Sequence, residues 1–104
     1  MIKKAFKMKL FAGKKEEYID RHNPIWPALV TVLKSHGVSN YSIFLDEETN
    51  VLFGYVEIQS EQQWEAIAYT DICRQWWSSL IDLMETNVDD SPVSSPLIEV
   101  FHLD

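Results

Sequence analysis

The spacing of hydrophobic residues changes several times along this 104-residue chain, and the order of the changes restricts the folds that it can adopt. Residues 3–11 alternate between two kinds of side chain, with Phe6, Met8 and Leu10 on one side, which is the period of a β-strand. Residues 14–35 instead place apolar side chains three or four positions apart, which is the period of a helix. The chain therefore begins with a strand followed by a helical segment.

Two prolines, Pro24 and Pro27, interrupt this helical segment. Each proline removes a backbone N–H donor and crowds the preceding turn of a helix. We therefore expect a kink or a new helix start after His22 and Asn23, because proline is favoured in the first turn of a helix. The segment then ends at Gly37, since glycine commonly follows the last helical turn.

The middle of the chain predicts a hairpin. Residues 40–45 and 51–58 are rich in β-branched and aromatic side chains, and the residues between them are polar. Both faces of the second strand are apolar, since Val51, Phe53 and Tyr55 alternate with Leu52, Val56 and Ile58. A strand of this kind needs a packing partner on each side of the sheet.

A second helix and a last strand complete the chain. Ser60, followed by Gln63, is typical of a helix start in which a side chain caps the first turn. Apolar residues at helical spacing then predict one helix that continues through Leu83 and Met84. Residues 97–103 alternate again and predict a final strand.

The resulting order, βαββαβ, predicts a single α+β domain over residues 1–104. It is the ferredoxin-like arrangement, a four-stranded antiparallel sheet with two helices on one face. Two helices cover only one face of the sheet, so its other apolar face is available for an interface. We therefore expect a homodimer of the dimeric α/β-barrel type, in which two sheets pack face to face around a two-fold axis.

The net charge and hydropathy of the chain exclude some classes of binding partner. Its net charge is −7, with eight basic and three acidic side chains in residues 1–34 and one basic and thirteen acidic side chains in residues 35–104. Phosphate contacts require clustered Lys and Arg, so we expect no nucleic-acid partner. No apolar run approaches the roughly 18 residues of a spanning helix or the shorter core of a signal peptide. The sequence therefore indicates a cytoplasmic, soluble protein without a membrane partner.

Tyr18, His22 and Trp26 lie four positions apart, so a straight helix would place them on one face. Two interpretations of this stripe remain open. It is either a set of core aromatics with a structural histidine, or a cleft in which an imidazole that titrates near neutral pH lies beside a phenol. The second arrangement suits general acid–base catalysis.

Trp76 and Trp77 are adjacent on the second predicted helix, and adjacent helical positions point about 100 degrees apart. Only one of them faces the core, so the other lines a pocket or an interface, where a large ring with one N–H donor is useful. Tyr41 has the spacing of Ile43 and Leu45 and is predicted to face the layer that they contact.

We predict no metal site. The chain has three histidines and one cysteine without the spacing of a zinc site, and Cys73 lies among apolar neighbours, as expected for an inert buried thiol. No glycine-rich phosphate loop, serine nucleophile elbow or nucleotide-binding fingerprint is present. The residues alone therefore predict a small dimeric α+β domain with an aromatic, histidine-bearing cleft.

Four sequence runs resemble those of the L-rhamnose mutarotase family, also called L-rhamnose 1-epimerase. They are EYIDRHNPIWP at 17–27, KSHG at 34–37, RQWW at 74–77 and SPVSSPL at 91–97. The resemblance extends over essentially the whole chain. The HNPIWP run and the tryptophan pair are far more specific than the order of strands and helices, which many unrelated functions share.

The resemblance implies a homodimeric isomerase that interconverts the α and β anomers of L-rhamnose in the cytoplasm without a cofactor. It also implies that His22 is the proton donor and that Tyr18, Tyr41, Trp76 and Trp77 contact the sugar. Two alternatives remain at this stage. One is a cofactor-free monooxygenase of the same fold, and the other is a dimeric module that binds a small molecule without catalysis.

Overall fold

The computed structural model describes residues 1–104. In chain order its elements are β1 (Ile2–Lys9), α1 (Lys15–His22), α2 (Pro27–Ser35), β2 (Val38–Asp46), β3 (Val51–Ile58), α3 (Glu61–Ile67), α4 (Asp71–Ser79) and β4 (Ser95–Pro96). The four strands form one antiparallel sheet in the order β2-β3-β1-β4. The predicted α+β ferredoxin-like fold is therefore confirmed, although each of the two predicted helical segments is divided into two helices.

The break between α1 and α2 lies where Pro24 and Pro27 predict it. Helix α1 ends at His22, the Asn23–Pro24 peptide bond is cis, and Pro27 occupies the first turn of α2. Helix α2 ends before Gly37, whose φ of 80° lies in the left-handed region that favours glycine. The prediction of a new helix start after His22 and Asn23 is confirmed.

The prediction of one continuous helix from Ser60 to Met84 is wrong. The Ser60 side chain accepts a hydrogen bond from the Gln63 N–H as predicted, but α3 ends at Ile67. The Thr70 hydroxyl then accepts a hydrogen bond from the Cys73 N–H and begins α4 as a new helix. Apolar spacing continues across this break because the side chains on both sides of it enter the same core.

The predicted strand at residues 97–103 is also wrong. Strand β4 is only two residues long and pairs with Phe6 and Lys7 of β1. The Leu97 N–H still donates to the Ala5 carbonyl, and no residue after it is in a strand. The apolar side chains of this tail remain exposed, among them Val100 at 93%. Alternation does not produce a strand where the side chains meet no packing partner.

A β-bulge shapes the start of β2, which begins two residues earlier than predicted. The pairing of β2 with β3 shifts by one residue between Ser39 and Ser42, and Asn40 has a φ of 48°. The Asn40 side chain donates to the Glu57 carboxylate at 3.1 Å. Tyr41 lies within this irregular stretch, between Ser39 and Ser42, and has no paired residue on β3.

The two faces of the sheet differ in burial. On β3, Leu52, Val56 and Ile58 are at most 1% exposed and belong to the core. On the other face, Phe53 is 38% exposed and lies directly opposite Phe44, which is 67% exposed. The sheet thus has one covered face and one apolar exposed face, as the alternation predicts. None of the four helices is long and apolar enough to span a bilayer.

Candidate active site

One cavity of about 1150 Å³ contains all five residues predicted for the site. Its lining is mainly hydrophobic and includes Tyr18, His22, Tyr41, Trp76 and Trp77. These residues come from α1, β2 and α4, which are far apart in the sequence. The fold therefore brings together the residues that the sequence singles out.

Helix α1 places Tyr18 and His22 one turn apart and in contact. Their ring centroids are 4.2 Å apart, and the His22 Nδ1 atom lies 2.7 Å from the Tyr18 carbonyl oxygen. A carbonyl oxygen only accepts, so Nδ1 carries a hydrogen in this contact. The other ring nitrogen, Nε2, has no hydrogen-bond partner in the chain and is not sealed from solvent. It is the nitrogen that is available to a ligand.

Trp76 completes what we call the His22 cluster, defined as Tyr18, His22 and Trp76. The indole of Trp76 meets the His22 ring edge to face, with centroids 5.0 Å apart. Trp26 packs on Trp76 at 5.1 Å and does not line the cavity. The predicted straight stripe is thus divided, because the helix breaks between His22 and Trp26.

The tryptophan pair behaves as its helical spacing predicts. Trp76 is buried at 7% exposure, whereas Trp77 is only partly buried. Both side chains nevertheless line the cavity. Trp77 is therefore the more exposed of the two indoles, and Trp76 packs against the imidazole.

Tyr41 belongs to a second group of rings, the Tyr41 cluster, defined as Phe6, Tyr41 and Trp64. The ring of Tyr41 lies 6.3 Å from that of Phe6 and 6.0 Å from that of Trp64, centroid to centroid. All three side chains line the cavity. Tyr41 is predicted to face the layer that Ile43 and Leu45 contact, and it lines the cavity together with Ile43, which packs against the core.

Phe6 and Trp64 are cavity residues that sequence reasoning missed. Both have the spacing of core residues, and the sequence carries no signal that separates a core aromatic from one that lines a cavity. Phe6 lies on β1 of the sheet and Trp64 on α3, so only the fold shows that their rings meet.

Burial controls protonation in the cavity. It lowers the pKa of His22 below its ordinary value, and the hydrogen bond to the Tyr18 carbonyl partly offsets this effect. Burial raises the pKa of the Tyr18 phenol, and it also raises that of the Tyr41 phenol, to which Tyr18 and Cys73 add. At neutral pH the imidazole is thus mainly neutral, and both phenols keep their protons as hydrogen-bond donors.

Charged groups lie outside these two clusters. The Cys73 thiol lines the cavity, and burial raises its pKa to about 11, so it stays protonated at neutral pH. Elsewhere on the lining, Lys4 and Glu61 form an ion pair with each other at 3.0 Å. No carboxylate forms a hydrogen bond with the His22 ring. The site therefore suits a neutral ligand with both apolar and hydroxyl groups.

Arg21 connects the helices that carry the site. Its guanidinium donates to both carboxylate oxygens of Asp82, at 2.9 and 3.0 Å, and to the Ser79 carbonyl at the end of α4. It thus joins α1, next to His22, to the segment after Trp76 and Trp77. No group of three or more His, Cys, Asp or Glu side chains is arranged to hold a metal ion.

Comparison with known proteins identifies the family. The family model described as L-rhamnose mutarotase matches residues 3–103. The chain belongs to the L-rhamnose mutarotase family. A relative named L-rhamnose mutarotase from Clostridium beijerinckii is 59% identical over 103 residues, which cover 99% of both chains.

Solved structures agree with this assignment. The crystal structure of an L-rhamnose mutarotase from Formosa agariphila is similar over 100% of both chains, with a TM-score of 0.92 and 45% identity. A putative antibiotic biosynthesis monooxygenase from Nitrosomonas europaea covers 97% of this chain and 100% of its own, with a TM-score of 0.64 and 11% identity. At that identity the likeness shows the fold alone, so the monooxygenase alternative is not favoured.

Proposed function

We propose that this chain is an isomerase that interconverts the α and β anomers of L-rhamnopyranose. Its membership of the L-rhamnose mutarotase family supports the substrate. The observation that carries the mechanism is the unpartnered Nε2 atom of His22, accessible in an aromatic cavity without a charged group bonded to the imidazole. The residue roles below are part of the proposal.

Mutarotation breaks and re-forms one bond. The proton of the anomeric hydroxyl leaves, the bond between C1 and the ring oxygen breaks, and the ring oxygen gains a proton. The open aldehyde turns about the C1–C2 bond and closes on its other face. No electron is gained or lost, so proton transfer and positioning suffice and the reaction requires no cofactor.

His22 is the proton donor to the ring oxygen in this scheme. Because Nδ1–H is held by the Tyr18 carbonyl, Nε2 of the neutral ring is a free acceptor. It takes the proton of the anomeric hydroxyl and, as imidazolium, delivers it to the ring oxygen, which is bonded to the same carbon. The lowered pKa of His22 favours this cycle, because the resting ring is neutral and the imidazolium releases its proton readily.

Tyr18, Tyr41, Trp76 and Trp77 bind the sugar. The two phenols are protonated at neutral pH, and burial raises their pKa further, so they donate hydrogen bonds to hydroxyl oxygens. The indole of Trp77 offers a face to the C–H groups and the methyl of a 6-deoxy sugar. Trp76 also meets the imidazole edge to face and holds its orientation. No charged side chain is hydrogen-bonded to the His22 ring, as expected for a site that binds a neutral substrate.

The active form is a homodimer of single-domain chains, each spanning residues 1–104. The exposed pair Phe44 and Phe53 and the exposed apolar tail offer the surface that a second copy covers. We expect the Phe53→Glu variant to sediment as a monomer and the unaltered chain as a dimer; equal masses would contradict this interface. The single free thiol, Cys73, fits the reducing cytoplasm.

The reaction is tested by following the optical rotation of freshly dissolved L-rhamnose at neutral pH. The protein should speed the approach to the anomeric equilibrium that buffer alone reaches, without consuming oxygen. An unchanged rate would refute the mutarotase proposal, and oxygen uptake with an aromatic substrate would favour the monooxygenase. A thermal shift with L-rhamnose but no rate increase would favour the non-catalytic binding module.

A further inference from the structure

Gly54 occupies a place in the sheet where glycine is not expected. It lies in the interior of β3, directly opposite Phe6 of β1 and Ile43 of β2. Glycine weakens a strand interior unless another group approaches the backbone closely. Its φ is not positive, so the backbone itself does not require glycine. The reason for this residue must lie in its neighbours.

The neighbour is the ring of Phe6. A Cβ atom at position 54 would lie 2.5 Å from both Cε2 and Cζ of Phe6, closer than nonbonded carbons approach. The phenyl ring therefore occupies the space that a side chain on residue 54 would fill. Any residue larger than glycine must displace the far end of Phe6.

Phe6 in turn contacts the part of the cavity that holds Tyr41. Its ring meets that of Tyr41 at 81°, and it also packs against Trp64 with centroids 6.4 Å apart. Tyr41 lies within the bulge of β2, where strand pairing is irregular, and 37% of its surface is exposed. The two rings of Phe6 and Trp64 are the aromatic contacts that fix its orientation.

We propose that Phe6, seated on Gly54, is a positioning residue that places the Tyr41 phenol in the sugar site. The pair thereby sets the affinity for the sugar without touching the reacting atoms. This inference rests on the proposed function, since it assigns Tyr41 to substrate binding. It explains why a small residue is needed at the centre of a strand whose neighbouring residues on this face, Leu52 and Val56, are large and buried.

The Gly54→Ala variant tests this inference with the smallest possible change. The backbone accommodates alanine, and the added methyl moves the flexible end of Phe6, so the protein should fold. We expect KM for L-rhamnose to rise by about tenfold, because small misplacements of binding groups are costly, and kcat to stay within about threefold. Val32→Ala is the control, since Val32 packs on the core without lining the cavity; it should leave KM unchanged.

A double-variant cycle tests whether the two residues act through one contact. Phe6→Leu should raise KM, and adding Gly54→Ala to it should change KM little further, because the ring that the methyl displaces is gone. If the two effects instead multiply, they are independent, and the inference is wrong. A purely structural role would lower stability in each variant without this pattern in KM.

Nuclear magnetic resonance of labelled tyrosine rings gives a readout that does not depend on catalysis. Gly54→Ala should shift the ring signal of Tyr41 and leave that of Tyr69, which is 77% exposed, unchanged. An unchanged Tyr41 signal together with an unchanged KM would overturn the inference. If the unaltered protein fails to speed mutarotation, the proposed function fails, and the Tyr41 signal still decides whether Phe6 positions this ring.

Discussion

The two aromatic clusters of the cavity differ in packing and in chemistry. In the His22 cluster, ring centroids lie 4.2 and 5.0 Å apart, and one ring is an imidazole, whose pKa burial lowers below its ordinary value. In the Tyr41 cluster, centroids lie 6.0 to 6.4 Å apart, and its only titratable group is a phenol that stays protonated. In our proposal, proton transfer therefore belongs to the His22 cluster alone, whereas the Tyr41 cluster contributes only to sugar binding. Substitutions in the two clusters should therefore change different kinetic constants.

The largest effect is expected at His22. Replacing it with alanine removes the group that transfers the proton, so kcat should fall by about 10²- to 10⁴-fold, the usual contribution of acid–base catalysis. The rate of change of optical rotation at saturating L-rhamnose measures this loss. Circular dichroism and sedimentation of the variant serve as controls for folding and assembly. Full activity in a folded variant would mean that His22 does not transfer the proton, and the proposed difference between the two clusters would be wrong.

Acidification should have the next largest effect. Protonation of His22 fills Nε2, so the rate should fall by about tenfold per pH unit below the pKa of this residue. Burial places that pKa below the ordinary value of 6.5, so the rate should be constant through neutral pH and decline only in more acidic solution. A rate that instead rises as the pH falls from neutral would mean that His22 must be protonated in advance.

Tyr41 should affect binding more than turnover. Tyr41→Phe keeps the ring between Phe6 and Trp64 and removes one hydrogen-bond donor, so KM should rise by about threefold to tenfold. The value of kcat should change by less than about twofold, because the phenol does not exchange protons at neutral pH. Initial rates across a range of L-rhamnose concentrations separate the two constants. A fall in kcat with unchanged KM would mean that Tyr41 takes part in the chemical step, and it would contradict our assignment of this residue to sugar binding.

The smallest effect is expected from charge at the edge of the site. Glu61 is paired with Lys4 on the lining, and the proposed substrate is neutral. Glu61→Gln, or added salt, should therefore change KM by less than about twofold, because no charged group attracts the sugar. Assays with and without 0.5 M sodium chloride, roughly a 4 Å screening length, provide the comparison. A strong salt dependence would indicate an anionic ligand.

The sequence was most informative where one residue type has a strong local effect. The prolines at 24 and 27 predict the break between α1 and α2, because each removes a backbone donor. Alternation predicts β1 and the hairpin, and the resemblance to a family predicts the five cavity residues. The break, β1 and the hairpin depend on short-range spacing, which is visible without the fold.

The remaining features depend on partners that are distant in the chain. The Thr70 cap that divides the second helix is hidden by an apolar period that continues across it. Residues 97–103 alternate like a strand, but pairing with β1 ends after Leu97. The role of Gly54 appears only when Phe6 is placed opposite it. Sequence periodicity identifies a buried face, and only the fold shows which buried residues surround a cavity.

The most direct test of the account is a titration of the His22→Ala variant with L-rhamnose, followed by nuclear magnetic resonance. Shifts of the tyrosine ring signals give the affinity, and saturation transfer between the two anomeric protons of the sugar gives the exchange rate. We predict that the variant binds L-rhamnose with a dissociation constant within about threefold of the unaltered protein, since uniform binding survives the loss of a catalytic group, while exchange on the protein slows by about 10²- to 10⁴-fold. Exchange at the unaltered rate, or loss of binding together with exchange, would contradict the separation of proton transfer from sugar binding.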